Sequence, residues 1–146
     1  MSKEAALTAT VVAGGLVAIQ APMNARLADH VGKFGSATMN FLVGGVFLVF
    51  ITFVLLGGFQ SVGESPPWWG WVFGGMAGAA YVTTALSSVP SLGAGGVTAA
   101  TVAGQLTVSV IADKLGILDL PEKPISAGRI AGVALLGVGV YLIVRE

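Results

Sequence analysis

The stretch 44-GGVFLVFITFVLLGG-58 decides the fold, because it is apolar on every face over its whole length. Inside a bilayer, only α-helices and closed β-barrels satisfy all of their backbone hydrogen bonds. A barrel strand alternates apolar and polar residues over about 10 positions, and this stretch does not. It therefore predicts a helix that crosses the membrane.

Four other stretches have a similar length and character, and a membrane-spanning helix needs about 20 mostly apolar residues. The five predicted spans are residues 5–26, 36–57, 68–88, 94–112 and 126–144. The connectors between them are marked by polar residues, glycine or proline. We predict an all-α fold in which residues 1–146 form a single transmembrane domain of five helices.

The composition excludes several classes of function. The 146 residues are 55% hydrophobic and 10% charged, whereas soluble domains carry about 25% charged residues. Seven basic and seven acidic residues leave no basic patch for nucleic acid. There is no cysteine and only one histidine, and no nucleophile, base and metal-ligand set can be assembled. We expect no cofactor, no metal and no enzymatic activity.

Two features near the ends of spans have alternative interpretations. Lys3 and the apolar run after it are also typical of a signal peptide, but no clear Ala-x-Ala cleavage site follows. Trp68, Trp69 and Trp71 are typical of a membrane–water boundary. The alternative for the tryptophans is an aromatic cage for a cationic ligand. We favour a retained first span and a boundary role for the tryptophans.

The distribution of basic residues gives almost no indication of which end of the chain faces the cytoplasm. With the N-terminus inside, that side would hold four basic residues and the other side three: Lys3, Lys114, Lys123 and Arg129 against Arg26, Lys33 and Arg145. Cytoplasmic loops normally carry a clear excess of Lys and Arg. Either a partner sets the direction, or the chain inserts both ways and pairs with its inverted copy. We favour the second interpretation, which is dual topology.

Polar side chains recur along single faces of the predicted helices. Gln20 and Asn24 share a face of the first span. Pro22 lies between them, removes a backbone hydrogen bond and tends to kink the helix. We expect the freed carbonyl to share one polar notch with the two amides. Similar faces recur in the second, third and fourth spans: Ser36, Asn40 and Gly44; Tyr81, Thr84 and Ser88; and Thr98, Thr101, Gln105, Ser109 and Asp113.

Two interpretations compete for these faces. Polar side chains often hydrogen-bond across transmembrane helices, for about 0.6–2 kcal/mol each. Four carboxamides on three spans favour instead a shared polar pocket that contacts a solute. No ionisable residue lies at the middle of a span, which argues against proton-coupled cation exchange. The predicted solute-binding residues are Gln20, Asn24, Asn40, Tyr81, Thr101, Gln105 and Ser109.

The ends of the spans carry the remaining candidates. Asp113 ends the fourth span and Arg129 opens the fifth on the same membrane side, so we expect them to pair. Together with Pro22 and Arg26, they are assigned structural or gating roles. Gly128, Gly132 and Gly139 follow one face of the last span, where small residues let helices approach closely. These glycines predict a packing seam, either within the bundle or against a partner.

Three segments resemble half-size members of the drug/metabolite transporter superfamily, the YdcZ-like group of bacterial inner-membrane exporters. They are residues 14–44 with Gln-x-x-x-Asn followed by Arg, residues 93–116 with Gly-Gln…Ser…Asp-x-x-Gly, and residues 125–143 with an Arg-initiated, glycine-rich helix. By position, eight residues fit the motif places of that family: Gln20, Asn24, Arg26, Asn40, Gln105, Ser109, Asp113 and Arg129. The related small multidrug resistance proteins have four spans and an acidic residue in the first, and this sequence has neither feature.

The resemblance implies half of a ten-helix inverted-repeat transporter, working in the bacterial inner membrane as an antiparallel homodimer or with a related paralogue. We therefore predict a secondary transporter, an exporter of a small polar or amphiphilic metabolite or drug. It would work by alternating access in a dimer, with the lipid bilayer and the solute as its other partners. A passive channel and a non-transporting subunit of a larger complex are the alternatives.

Overall fold

The computed structural model describes residues 1–59, 68–116 and 122–145. These residues form four α-helices and a short π-helix, and no strand occurs among them. The elements are α1 (Lys3–Val31), α2 (Lys33–Phe50), the π-helix (Ile51–Leu55), α3 (Trp68–Leu115) and α4 (Ala127–Val144). Counting the π-helix with α2, the described chain has four helices that are long and apolar enough to cross a membrane. The predicted all-helical membrane fold is confirmed at this level.

The first helical connection is shorter than predicted. α1 continues past Arg26 to Val31, and α2 begins at Lys33, so that Gly32 alone separates the two helices. The polar residues after Arg26 suggested a loop, but most of their neighbours are adequate helix formers. Gly32 ends the helix instead, because its φ of +77° favours glycine. Its N–H donates to the Ala28 carbonyl, at 2.9 Å.

The predicted connector over residues 88–93 is also mostly helical. It lies inside α3, which is interrupted at Gly93, where φ is +66° and ψ is 167°. A side chain is strained at this φ, so glycine is the residue that permits the break. The sequence therefore located the interruption, but the structure confines it to one residue.

The chain divides into two compact units, Met1–Ser88 and Val89–Glu146. In the first unit, α1 and α2 form an antiparallel hairpin, and the beginning of α3 packs against it. Ala37, Val82 and Leu86 form the buried cluster, and Ala28 and Tyr81 pack on its edge. These contacts fix the hairpin that carries three of the seven candidate solute-binding residues, Gln20, Asn24 and Asn40.

In the second unit, the later part of α3 lies close to the end of α4. A Cβ atom on Gly96 would lie 3.3 Å from Cγ2 of Val144 and 3.1 Å from Cβ of Leu92. A Cβ atom on Gly95 would lie 3.9 Å from Cγ2 of Ile143. The close approach of these two helices therefore depends on Gly96 most of all.

The glycine seam predicted on α4 does not pack within this unit. A Cβ atom on Gly132 or Gly139 would meet no described atom within 4 Å, and one on Gly128 would meet only the Ser126 hydroxyl, at 3.8 Å. The alternative that these glycines contact a partner stays a prediction.

Large apolar side chains are exposed along the helices of the single chain. Leu16 on α1, Phe47 on α2 and Leu135 on α4 are all more than 60% exposed. A soluble monomer rarely exposes a continuous apolar patch of such extent. These faces are suited to lipid tails or to another subunit. Trp68 and Trp71 at the start of α3 are exposed as well, as a membrane–water boundary requires.

Candidate functional site

The predicted polar faces of α1 and α2 meet in the middle of the hairpin. Nε2 of Gln20 donates a hydrogen bond to Oδ1 of Asn40, at 2.9 Å. The Ser36 hydroxyl donates to the backbone carbonyl of Asn24, at 2.7 Å. Asn24 lies four residues nearer the turn than Gln20 on α1, and Ser36 lies four residues nearer the turn than Asn40 on α2. The two contacts therefore have the register of an antiparallel hairpin. The structure brings Gln20, Asn24 and Asn40 together.

Ser36 is a residue whose role the sequence did not reveal. It is fully buried, so its hydroxyl needs a partner inside the protein. The Asn24 carbonyl supplies this partner and also pins α2 against α1 at the level of the amides. The spacing of Ser36, Asn40 and Gly44 placed Ser36 on the correct face, but spacing carries no information about a backbone acceptor.

The Asn24 residue is largely buried, and its carboxamide has no hydrogen-bond partner among the described residues. Its exposed fraction is 8%, and none of the side-chain hydrogen bonds among the described residues involves its carboxamide. The side-chain oxygen and nitrogen of Asn24 are not among the fully buried polar atoms that lack a partner, so both atoms keep accessible surface. Because this carboxamide lines a cavity, a water or solute molecule in the cavity can supply its hydrogen bonds.

A cavity of about 640 Å³ opens beside these amides. Volumes of about 300–1,000 Å³ are typical of small-molecule sites. The lining contains both carboxamides and apolar side chains. It consists of Gln20, Asn24 and Asn40 together with Leu27, Met39, Phe41, Val43, Gly44, Gly45 and Leu48. This arrangement suits a molecule that has both a hydrogen-bonding group and a hydrocarbon part.

A second, much smaller space of about 10 Å³ shares Gln20 and Asn24 with the larger cavity. It has room for about one water molecule. Gln20, Asn24 and Tyr81 line it together with Val17, Ala21, Val82 and Ala85. The structure therefore brings Tyr81 to the same two amides, and Asn24 lines both spaces.

The predicted part of Pro22 in this notch stays a prediction. Neither Pro22 nor Ala18, whose carbonyl would accept from position 22 in a regular helix, lines either space. Pro22 lies two residues from both amides, which is about 200° around the helix. It therefore faces away from them. Arg26 also lies two residues from Asn24, about 200° around the helix, and its side chain is exposed.

The remaining predicted solute contacts lie on α3, in the second unit. Thr101 is half-buried, and Gln105 and Ser109 are exposed on the single chain. None of them lines the two cavities described above. Their part in a solute site stays a prediction.

The expected pair between Asp113 and Arg129 is present. Nη1 of Arg129 lies 3.1 Å from Oδ2 of Asp113, and both side chains are less than one-third exposed. Nη1 is nevertheless buried and makes no hydrogen bond to a described atom, so this short contact lacks hydrogen-bond geometry. We interpret it as a Coulombic pair. The Lys123 N–H donates to the Asp113 carbonyl, at 2.8 Å, and further ties this end of α3 to the residues before α4.

The apolar wall of the larger cavity was not predicted. Met39, Phe41 and Val43 flank Asn40 on α2 and resemble ordinary lipid-facing residues in the sequence. Only the packing of the hairpin shows that they line the same space as the amides. Their proximity to Asn40 along the chain was the one available signal.

Comparison with known proteins assigns the family. A sequence model of the family described as "Putative inner membrane exporter, YdcZ" matches residues 5–142. No curated protein and no solved structure matches the chain. The family match covers nearly the whole chain and includes every residue named for the candidate site. With its membrane-length apolar helices, the chain belongs to the YdcZ family of inner membrane exporters and is a multi-pass membrane transport protein rather than an enzyme.

Proposed function

We propose that this chain is a secondary transporter that exports a small polar or amphiphilic metabolite or drug by alternating access in a dimer. The observation that supports this proposal most strongly is the unpartnered Asn24 carboxamide beside a cavity of about 640 Å³. A carboxamide that has no protein partner and lines a cavity of small-molecule size can hydrogen-bond a molecule that enters this cavity. Gln20, Asn40 and Tyr81 would complete this part of the solute site.

The length of α3 supports five membrane crossings. A straight helix of 48 residues would be about 72 Å long, more than twice the thickness of a hydrocarbon core of about 30 Å. The break at Gly93 divides α3 into two segments of membrane-spanning length. Five crossings would make the chain half of a ten-helix inverted-repeat transporter.

Three features support an antiparallel dimer, formed by two inverted copies or with a paralogue. The basic residues are almost evenly divided between the two predicted sides, large apolar faces are exposed, and Gly132 and Gly139 have open space at Cβ. A partner could approach closely along such glycines. We propose that Thr101, Gln105 and Ser109 contact the solute in the assembled dimer, and that Asp113 and Arg129 act as a gate.

A specific observation favours the non-transporting subunit as the second candidate. The hydrogen bond from the Gln20 NH₂ group to the Asn40 oxygen forms without any solute. This is expected of residues that only hold helices together. If this were their whole role, Gln20→Leu would weaken the dimer and leave solute flux unchanged.

Proteoliposome flux tests the transporter. We expect a solute screen that includes N-acetyl-leucinamide to identify a compound whose uptake saturates and shows counterflow. Gln105→Ala should lower this uptake several-fold, because the variant would lose the proposed hydrogen bond to the solute, of about 1 kcal/mol. Uptake that neither saturates nor shows counterflow would indicate a passive channel. If no compound moves faster than in Gln105→Ala liposomes, the proposal fails.

A further inference from the structure

We propose that the hairpin cavity selects uncharged amphiphiles that carry an amide or a similar donor–acceptor group, and that Asn24 sets this charge selectivity. The inference rests on the proposed function, since it names the class of solute that the hairpin would contact. It goes further by excluding cations and anions of the same size and shape.

The first argument is the absence of charge around the cavity. None of the residues that line it is ionisable. The nearest ionisable side chains along α1, Arg26 and Asp29, are both exposed. They lie about 200° and 140° around the helix from Asn24. A charged head group would therefore lose its water without gaining a counter-charge, which is strongly unfavourable.

The second argument is the chemistry of the carboxamide. Asn24 offers both donors and an acceptor, and the residue is 8% exposed, with no hydrogen-bond partner for its carboxamide among the described residues. A neutral amide on the ligand can accept a hydrogen bond from the Asn24 NH₂ group and donate one to the Asn24 oxygen at the same time. An ammonium group would satisfy only the acceptor, and a carboxylate would satisfy only the donors. Full satisfaction of Asn24 thus favours a neutral ligand.

The third argument is the apolar part of the cavity lining. Leu27, Met39, Phe41 and Leu48 line the same cavity and can bury hydrocarbon, at about 25 cal/mol per Å² of apolar surface. A ligand with only polar groups would leave this part uncovered. The combination of carboxamides and apolar side chains in one lining requires an amphiphile.

Three compounds with one leucine scaffold test the charge rule. N-acetyl-leucinamide is neutral, leucinamide is mostly a cation near pH 7, and N-acetyl-leucine is an anion there. Their binding to the full chain in lipid nanodiscs is measured by equilibrium dialysis, with empty nanodiscs as the blank. We expect saturable binding of N-acetyl-leucinamide that is roughly tenfold tighter than that of either ion.

Asn24→Asp is the critical variant, because it places an anion where the carboxamide was. The variant should reverse the preference, so that leucinamide binds roughly tenfold tighter than N-acetyl-leucinamide. Such a gain requires a folded protein and cannot come from unfolding. Thr10→Val is the matched control, since Thr10 is exposed on α1 and its hydroxyl donates only to the Ala6 carbonyl. It should keep the wild-type preference.

Two results would overturn the inference. One is equal binding of the three compounds to the wild-type protein, including binding no greater than that to empty nanodiscs, as expected if lipid tails fill the cavity. The other is an unchanged preference in Asn24→Asp. The test is separate from transport: the charge rule without any flux would contradict only the proposed function, whereas flux that ignores solute charge would contradict only this inference.

Discussion

Leucine in place of Asn24 is expected to lower the uptake of N-acetyl-leucinamide by proteoliposomes roughly tenfold, a change of about 1.4 kcal/mol. Leucine is close to asparagine in size but cannot hydrogen-bond. Because the Asn24 carboxamide has no protein partner, its removal leaves no orphaned group behind. The free energy of unfolding in Asn24→Leu should therefore be unchanged or higher. Uptake and detergent-titrated unfolding are measured on the same preparations.

The opposite pattern would show that Asn24 is structural. In that case Asn24→Leu would be less stable than the wild type, and the uptake per folded molecule would be unchanged. Thr10→Val serves as the control on the same helix, about 21 Å along α1 from Asn24. It exchanges a polar for an apolar side chain of similar size and should alter neither uptake nor stability.

Valine in place of Gly96 is expected to lower the free energy of unfolding by about 2 kcal/mol, since overpacking usually costs about 1–3 kcal/mol. Even the first added atom, Cβ, would lie 3.1 Å from Cβ of Leu92 and 3.3 Å from Cγ2 of Val144. Cβ of Leu92 is fixed by the helix backbone and cannot swing aside. Relief of the Val144 contact would require α4 to move away from α3, and relief of the Leu92 contact would require the α3 backbone itself to shift. The loss is measured by unfolding in a denaturing detergent, followed by circular dichroism.

Gly137→Val is the matched control for Gly96→Val. Gly137 also lies inside a helix, but a Cβ atom there would meet no described atom within 4 Å. This variant should change the free energy of unfolding by less than about 0.5 kcal/mol. Equal losses in the two variants would mean that the approach of α4 to α3 does not depend on Gly96.

The helices could be predicted from the sequence because the membrane imposes a simple rule. Every long apolar stretch has to form its backbone hydrogen bonds internally, and 44-GGVFLVFITFVLLGG-58 leaves no alternative to a helix. The ends of the helices were harder. The segment after Arg26 is polar, yet it stays helical as far as Gly32, because polarity reports contact with water and not the end of a helix.

The candidate site was only partly predictable. A helical spacing of four placed Gln20 and Asn24 on one face, and the structure brings this face to Asn40. The hydrogen-bond partners were not predictable, because spacing does not show that the Gln20 side chain donates to Asn40 while the Asn24 carboxamide has no partner among the described residues.

The central claim is that a solute occupies the hairpin cavity, and protection of a single cysteine tests it most directly. The chain has no cysteine of its own, so a thiol can be placed without background. Met39 lines the cavity, whereas Phe34 is exposed on the same helix and does not. We predict that saturating N-acetyl-leucinamide slows N-ethylmaleimide modification of Met39→Cys roughly tenfold and leaves Phe34→Cys unaffected. Equal rates with and without the compound in Met39→Cys would contradict the claim.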